Sequence, residues 1–243
     1  ESTITIPVKS DYDYTVDMPA WITGEKVKEG YNFTLTENTT GNARKGTVIF
    51  KSQKGTKEIT FVQFGVNDIA GTYEATYSTF GEGDDWVSET VKIELLQDEE
   101  NEAVFYADGL SSIRGVVLPL KFDGETYQLS ALNGQYLGFI ESQKWYLYTI
   151  VRSEAGYVHA DTSLSYPAIA ELDVDDEELM PFFPFKDKKG FSFTGETGTI
   201  KSFIDAIGVY VFASKSPTFG NNNNLGYYDI FKDLSIKKIK ADH

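Results

Sequence analysis

The chain has 243 residues, no cysteine and a formal net charge of −15 at neutral pH. Without cysteine it has no disulfides, thiol nucleophiles or thiolate metal sites. Its negative field repels phosphate, which argues against nucleic acid and anionic membranes as partners. Tyr (15) and Phe (17) are abundant, and such aromatic residues fit the pleated, half-buried surface of a β-strand.

The charge is divided unevenly, which predicts a domain boundary. Residues 1–66 carry 8 basic and 8 acidic side chains, so residues 67–243 hold the remaining 14 of 22 basic and 29 of 37 acidic groups. We therefore predict two domains, 1–66 and 67–243.

No apolar run approaches the ~20 residues of a transmembrane helix. The chain begins at Glu1 rather than Met, and we interpret it as a mature chain whose targeting segment was removed.

The N-terminal part shows the alternation of polar and apolar residues that is typical of short strands. Residues 2–8 alternate polar and apolar, which predicts a strand with Ile4 and Ile6 inward. Six such segments with turns every 8–12 residues indicate a β-sandwich. Trp21 has two interpretations, an exposed sugar platform or a core anchor, and the adjacent Ile22 favours the core.

A set of residues in this part resembles the BACON domain, a Bacteroidetes-associated, often N-terminal, immunoglobulin-like sandwich. The set is Trp21-Ile22, the strand at 31–36, Asn38-Thr39-Thr40-Gly41 with Arg44 and Gly46, the strand at 47–50, and Val62-Gln63. The resemblance implies a secreted or outer-membrane, cell-surface lipoprotein, which would contact a membrane only through an N-terminal lipid anchor. It also implies either carbohydrate binding or a spacer role. Arg44 and Gln63 are more simply explained as hydrogen-bonding the loop and the sheet end, which favours the spacer.

The second part begins with Gly71-Thr72-Tyr73, which is similar to the start of lipocalin-like (calycin) barrels. Many further segments alternate, and a meander of eight or more antiparallel strands closes most naturally into a barrel. Asp123-Gly124 predicts a two-residue hairpin, and residues 200–207 could form one or two helical turns. The predicted fold is thus all-β, with an immunoglobulin-like β-sandwich followed by an antiparallel, lipocalin-like β-barrel.

The loop at 78–88 is the first candidate site. It places Phe80 and Trp86 beside Asp84 and Asp85. A flat apolar face with nearby acceptors is what a sugar ring and its hydroxyls require. The alternative is a hairpin whose Trp covers a barrel end.

The loop at 216–225 is the second candidate, because it contains a run of amides that includes Asn222 and Asn223. Amides hydrogen-bond sugar hydroxyls and form turns equally well.

Two further segments stand out between 161 and 190. The acidic run 173–178 has the charge of a Ca²⁺ loop but neither its spacing nor its glycine, which favours a solvated face. The run Met180–Phe185 is rich in Phe and Pro and cannot be a central strand, since Pro lacks a ladder donor. It would either cap the barrel or form an apolar contact for a partner.

Catalysis finds little support in the sequence. The two histidines are His159 and His243, and no nucleophile-elbow or zinc-protease motif is present. A glycosidase needs only two suitably spaced carboxylates, so a carbohydrate-active hydrolase stays open as a hypothesis.

We expect a non-enzymatic chain without cofactor or metal, which binds a glycan or another small ligand. The alternative is a structural or protein-interaction module of the cell envelope.

Three structural features would separate these hypotheses. An exposed aromatic shelf would favour the glycan-binding protein. An exposed apolar patch at residues 182–185 would favour the interaction module. Two facing carboxylates in a deep cleft would favour the hydrolase.

Overall fold

A computed structural model describes residues 2–81, 85–176, 178–220 and 222–240. Strands make up 58% of the structure and no α-helix occurs in these ranges, so the predicted all-β class is confirmed. The described part also holds no helix of the length and apolarity needed to cross a membrane. The chain divides into two compact units, Glu1–Asp68 with Asp173–Leu179, and Ile69–Leu172 with Met180–His243.

The first unit contains six strands in two three-stranded antiparallel sheets, ordered β1-β4-β3 and β2-β5-β6. The strands are β1 Ser2–Ile6, β2 Tyr14–Asp17, β3 Ile22–Val27, β4 Gly30–Leu35, β5 Arg44–Ser52 and β6 Gly55–Gln63. Alternate residues of both sheets form one buried cluster that includes Phe33, Phe50 and Phe61. This shared core gives the unit its sandwich character. A short 3-10 turn, Val66–Asp68, follows β6.

Ile6 packs against that cluster as predicted, whereas Ile4 is 44% exposed. The prediction that Ile4 points into the core is therefore wrong. Ile4 lies on β1, which pairs only with β4 and forms an edge of its sheet. An edge strand has a neighbour on one side alone, which leaves Ile4 less covered than its register partner Phe33 on the central strand.

Arg44 fastens the loop that precedes β5. Its Nε donates to Oε1 of Gln63 at 2.9 Å, and its Nη2 donates to the carbonyl of Thr36 at 2.7 Å. The guanidinium also lies 4.4 Å from the ring centre of Trp21. Trp21 packs against the core cluster and its ring is covered by Arg44, so it is a core anchor rather than an open platform.

Asn38 orders the same loop from within. Its side chain is 7% exposed, and its amide nitrogen donates to the Asn42 carbonyl at 2.7 Å and to Oδ1 of Asp68 at 3.3 Å. Its Oδ1 accepts from the hydroxyl of Thr40 at 2.8 Å. Buried polar atoms are stable only when paired in this way. The residues of the BACON resemblance therefore serve the loop's own structure.

Residues 173–179 belong to this unit through Lys45. Its Nζ donates to the Val174 carbonyl at 2.8 Å and to the Asp176 carbonyl. The side chains of Asp173, Asp175 and Asp176 remain exposed. This agrees with the interpretation of the acidic run as a solvated face.

The second unit is built on one curled, half-barrel antiparallel sheet. Its main path runs β12-β13-β19-β20-β7-β8-β9-β10-β11-β15. The strands of the unit are β7 Gly71–Phe80, β8 Trp86–Gln97, β9 Val104–Asp108, β10 Leu118–Asp123, β11 Gln128–Leu132, β12 Tyr136–Ile140, β13 Trp145–Ser153, β14 Val158–His159, β15 Ser165–Ile169, β16 Phe182–Pro184, β17 Phe191–Gly195, β18 Gly198–Ser202, β19 Ile204–Phe212 and β20 Asn224–Lys238.

Strand β16 connects two strands that are far apart on that path. It pairs with β20 through Phe182↔Lys237 and its neighbours. On its other side it meets the β15 segment through the bridges Ala168↔Phe185 and Glu171↔Phe182. The Phe-Pro run thus contributes a short strand between β15 and β20.

Large side chains fill the space enclosed by the curled sheet. Tyr73, Phe105 and Phe183 are each 0% exposed, and the rings of Tyr73 and Phe183 lie 6.4 Å apart. Phe185 is 4% exposed. The Phe-Pro run is therefore core, and residues 182–185 do not form the exposed apolar patch that an interaction module would use.

Three local predictions in this unit are wrong. The Phe-Pro run is predicted not to be a central strand, yet it has neighbours on both sides, because the amides of Phe182 and Phe185, rather than a proline, donate to the flanking segments. Residues 200–207 contribute to strands β18 and β19 instead of helical turns, because every residue of β19 is buried within the sheet. The turn after Asp123 is also longer than two residues. The Asp123 carboxylate accepts from the Glu125 amide and the Thr126 hydroxyl, and Tyr127 adopts the positive φ of 54°.

We predict that Phe183→Ala lowers the free energy of unfolding by about 3–5 kcal/mol, because it leaves a cavity under β16 where three strands meet. Urea unfolding followed by far-UV circular dichroism measures this loss. Phe203→Ala is the matched control, since Phe203 is 44% exposed, and it should cost less than about 1 kcal/mol. Equal losses in the two variants would contradict a core role for Phe183.

Candidate functional site

Phe80 and Trp86 form an aromatic pair at the tip of the β7–β8 hairpin. They face each other as the last register pair of the two strands, and their ring centres lie 4.5 Å apart with a 31° tilt. Phe80 is 41% exposed and Trp86 is half-buried. We call these two residues the aromatic shelf. Its pairing follows from the alternation of strand side chains, which places both rings on one face.

Two cations lie against the indole of Trp86. The Arg152 guanidinium is 5.4 Å and the Lys232 ammonium 5.3 Å from the ring centre. Both distances suit a cation–π contact. Sheet pairing brings these cations together, because Arg152 pairs with Ala206 and Ala206 pairs with Lys232.

A buried carboxylate positions Arg152. Oδ2 of Asp205 accepts from Nη1 of Arg152 at 2.5 Å, and the Asp205 side chain is 9% exposed. Burial raises the pKa of Asp205, while the Arg152 charge opposes that rise. The other carboxylate oxygen, Oδ1, is buried and has no hydrogen-bond partner among the described residues. The ion pair therefore holds the guanidinium in place beside the shelf.

The shelf is one end of a row of aromatic rings that crosses the sheet. Neighbouring ring centres along the row are 4.5–5.9 Å apart. In order, the row is Trp86, Phe80, Tyr227, Tyr210, Phe212, Tyr148 and Tyr136. Its middle, at Tyr210, Phe212 and Tyr148, is buried, whereas Phe80 near one end and Tyr136 at the other are 41% and 47% exposed. Burial also raises the pKa of Tyr227 to about 12, so this phenol keeps its proton at neutral pH.

The amide-rich loop covers the buried middle of the row. Phe219 packs on Tyr210 and Phe212, with ring centres 5.6 and 5.3 Å away. Nδ2 of Asn223 donates to the carbonyls of Ser216 and Thr218 at 2.8 and 2.9 Å. Its Oδ1 accepts from the Ser214 hydroxyl at 2.7 Å. The amide of Asn223 is thus occupied in holding the loop.

The remaining site residues proposed from the sequence have different positions. Asn222 is exposed and adopts a φ of 61°, the turn conformation that Asn tolerates. Asp85 is exposed, and its carbonyl accepts from the Gly81 amide at 2.8 Å. Asp84 lies outside the described residues. Through Tyr227 and Tyr210, the structure places the two candidate loops at one row of aromatic rings.

Sequence reasoning missed Arg152, Asp205 and Lys232. A charged residue within a strand of buried residues was the available signal. A buried charge is stable only with a partner, so its presence implies an ion pair. Asp205 interrupts the apolar run of β19, and Arg152 follows the apolar end of β13. Which charges pair depends on strand order, which one sequence does not reveal.

In the part of the chain that the structure describes, no group of three or more His, Asp or Glu residues could hold a metal ion. The buried carboxyl of Asp205 is committed to Arg152.

Comparison of the chain with protein-family models, with curated proteins and with solved structures finds no significant match.

We predict that Asp205→Ala lowers the free energy of unfolding by about 3 kcal/mol, since it leaves Arg152 as an unpaired, largely buried charge. The double variant Asp205→Leu with Arg152→Met should recover most of that loss, because neither charge remains. Urea unfolding of the single and double variants measures both effects. Asp17→Ala is the control, as the Asp17–Lys51 pair is exposed and such pairs contribute about 0–1 kcal/mol. A double variant as unstable as the single one would contradict this account.

His159 has a different environment. Its ring lies 4.9 Å from Phe191 and 4.6 Å from Phe193, measured between ring centres. Nε2 is buried without a hydrogen-bond partner among the described residues. Burial lowers the pKa of His159 below its ordinary value of 6.5, and the nearby Asp161 charge only partly offsets this. The folded chain therefore favours a neutral imidazole.

We expect the contribution of His159 to stability to be complete above pH 6.5 and to be lost as the pH falls below it. In that range the imidazole is protonated in the unfolded chain but stays neutral in the folded chain. Urea unfolding at pH 7.5 and pH 5 measures the effect, which His159→Phe should reduce. His243→Gln is the control, because it removes the other histidine. An unchanged pH dependence in His159→Phe would overturn the assignment.

Proposed function

We propose that this chain is a non-enzymatic, cell-surface or secreted glycan-binding lipoprotein. Residues 1–66 would be a BACON-like, immunoglobulin-like spacer, and residues 67–243 a lipocalin-like barrel that carries the binding site. The observation that carries the proposal is the aromatic shelf, where the exposed Phe80 packs on the half-buried Trp86 beside Arg152 and Lys232.

The chemistry of the shelf suits a sugar. The apolar face of a pyranose packs on aromatic rings, and its hydroxyls need donors and acceptors at the rim of the contact. Arg152 offers several N–H donors in a fixed plane, and the buried Asp205 restricts how that plane can turn. A pre-organised site loses less freedom on binding, which supports affinity for a weakly held neutral ligand.

Strand pairing supports a closed barrel in the second unit. Neighbours follow one another from β20 through β7, β8, β9, β10, β11 and β15 to β16, and β16 pairs again with β20. The interior of this ring is filled by buried side chains such as Tyr73 and Phe183. A ligand would therefore bind on the outer face, where the aromatic shelf lies.

The first unit supports the spacer role. The flat face of Trp21 is covered by Arg44, and Gln63 donates to the Thr36 carbonyl at 3.0 Å. The groups that a sugar would contact are thus already engaged. The organism class, the N-terminal lipid anchor and the envelope location follow from the BACON resemblance. The net charge of −15 disfavours nucleic acid as a partner.

An envelope protein is the second candidate partner, favoured by the opposite end of the aromatic row. Tyr136 and Phe139 on β12 are 47% and 43% exposed, and β12 ends the sheet path. Exposed aromatic residues at a strand edge suit a protein interface. This would be the structural or protein-interaction module of the cell envelope.

A glycan array probed with the intact chain tests the proposal. We expect binding to at least one glycan, with the signal reduced by about tenfold or more in Trp86→Ala and Phe80→Ala, because a stacked aromatic ring is a dominant contact. Phe139→Ala is the matched control, since its exposure is close to that of Phe80. Binding that depends on Phe139 but not on Trp86 would move the site to β12. Absence of binding to any glycan would favour the protein partner.

A further inference from the structure

A groove in the second unit combines positive charge with apolar surface. Its volume is about 410 Å³, within the range of small-ligand sites. Lys186, Lys188 and Lys189 line it on one side. Pro167, Ile169 and Phe191 contribute apolar surface, and none of the shelf residues takes part. The groove is therefore separate from the aromatic shelf.

The three lysines are unusual in an acidic chain. Residues 67–243 contain 14 basic groups, and three of them fall within four consecutive positions here. All three side chains are exposed. In the described ranges no carboxylate lies within ion-pair distance of any of the three. Their charges are thus available to a ligand.

Asp187 lies between these lysines, but backbone amides occupy its carboxylate. Oδ1 accepts from the amides of Lys189 and Gly190, both at 2.9 Å, and Oδ2 accepts from the Ile204 amide at 3.1 Å. Amide N–H groups that donate to a carboxylate occupy acceptor positions that a lysine ammonium would otherwise use. Asp187 therefore competes less for the lysines than an exposed aspartate would.

The backbone that carries the lysines is held at several points. The Lys186 amide donates to the Pro167 carbonyl at 2.7 Å, which ties the segment to β15. The contacts of Asp187 close the following turn, where Gly190 has a φ of 67°. A Cβ at Gly190 would approach the Ser202 carbonyl to 2.9 Å. This fixed turn presents the ammonium groups around a pre-formed groove.

Polar groups complete the lining. Ser163, Ser165 and Gln128 also line the groove. Hydroxyls and amides can donate to and accept from ligand hydroxyls. A ligand that matches all three features is anionic, hydroxylated and apolar on one face.

We propose that this groove binds an acidic saccharide, whose carboxylates pair with Lys186, Lys188 and Lys189 while a sugar face packs on Phe191. Charge complementarity selects an anion in an otherwise repelling field. The choice of a saccharide rests on the proposed glycan-binding function. The groove would add a second, charge-selective site to the neutral contacts of the shelf.

Titration calorimetry with tri-galacturonate and the intact chain tests the proposal. We expect the triple variant Lys186→Gln, Lys188→Gln, Lys189→Gln to weaken binding by about tenfold, as three partly screened charge pairs are lost. Higher salt should weaken binding to the parent chain. The control triple variant Lys121→Gln, Lys144→Gln, Lys237→Gln removes the same charge from exposed positions elsewhere and should bind within about twofold of the parent.

A fully methyl-esterified tri-galacturonate keeps the sugar shape but lacks the charge, and it should not bind at the groove. Phe191→Ala should weaken tri-galacturonate more than it weakens inorganic sulfate, because sulfate has no sugar face. Equal affinity of the two triple variants, or no affinity for tri-galacturonate, would overturn the groove proposal. Neutral glycans that still require Trp86 would then leave the proposed function in place, which separates the two failures.

Discussion

A change of partner within strand β20 organises the second unit. The register of β20 against β7 shifts between Lys232 and Ser235, and Asp233 takes a φ of 52° there. Before this bulge β20 pairs with β19, and after it β20 pairs with β16. A non-glycine residue in the left-handed region costs about 1 kcal/mol. The buried contacts of β16 and β19 on either side offset that cost.

The same bulge determines what lies on each face of the sheet. Lys232, just before it, is directed at Trp86, while the Leu234 carbonyl, inside it, accepts from the Phe185 amide at 2.8 Å. One irregular segment thus contributes to the aromatic shelf through Lys232 and to the attachment of β16 through Leu234. Bulges commonly re-aim side chains in this way. The aromatic shelf and the packed interior therefore share strand β20.

Much of the fold could be predicted from the sequence, because the alternation of polar and apolar residues along a strand reflects which side chains are buried. Ile93 and Leu95 follow such a pattern in β8 and are buried, as are Leu118, Leu120 and Phe122 in β10. The predictions that are wrong fail because of local features that an alternating pattern does not encode. Ile4 alternates correctly but lies on an edge, and at Asp123-Gly124 a carboxylate cap formed a longer turn. At the site, Trp86 and Phe80 were found by residue type, while the Arg152–Asp205 pair depends on strand neighbours distant in sequence.

Strand β12 has a consequence for how copies of this chain meet in solution. It ends the sheet path opposite to β15, and its exposed edge could extend into a neighbouring chain's sheet. Its five residues include a register shift between Tyr136 and Gly138, so a straight incoming strand would match only part of it. The like charge on every copy also disfavours intermolecular sheet growth at this edge.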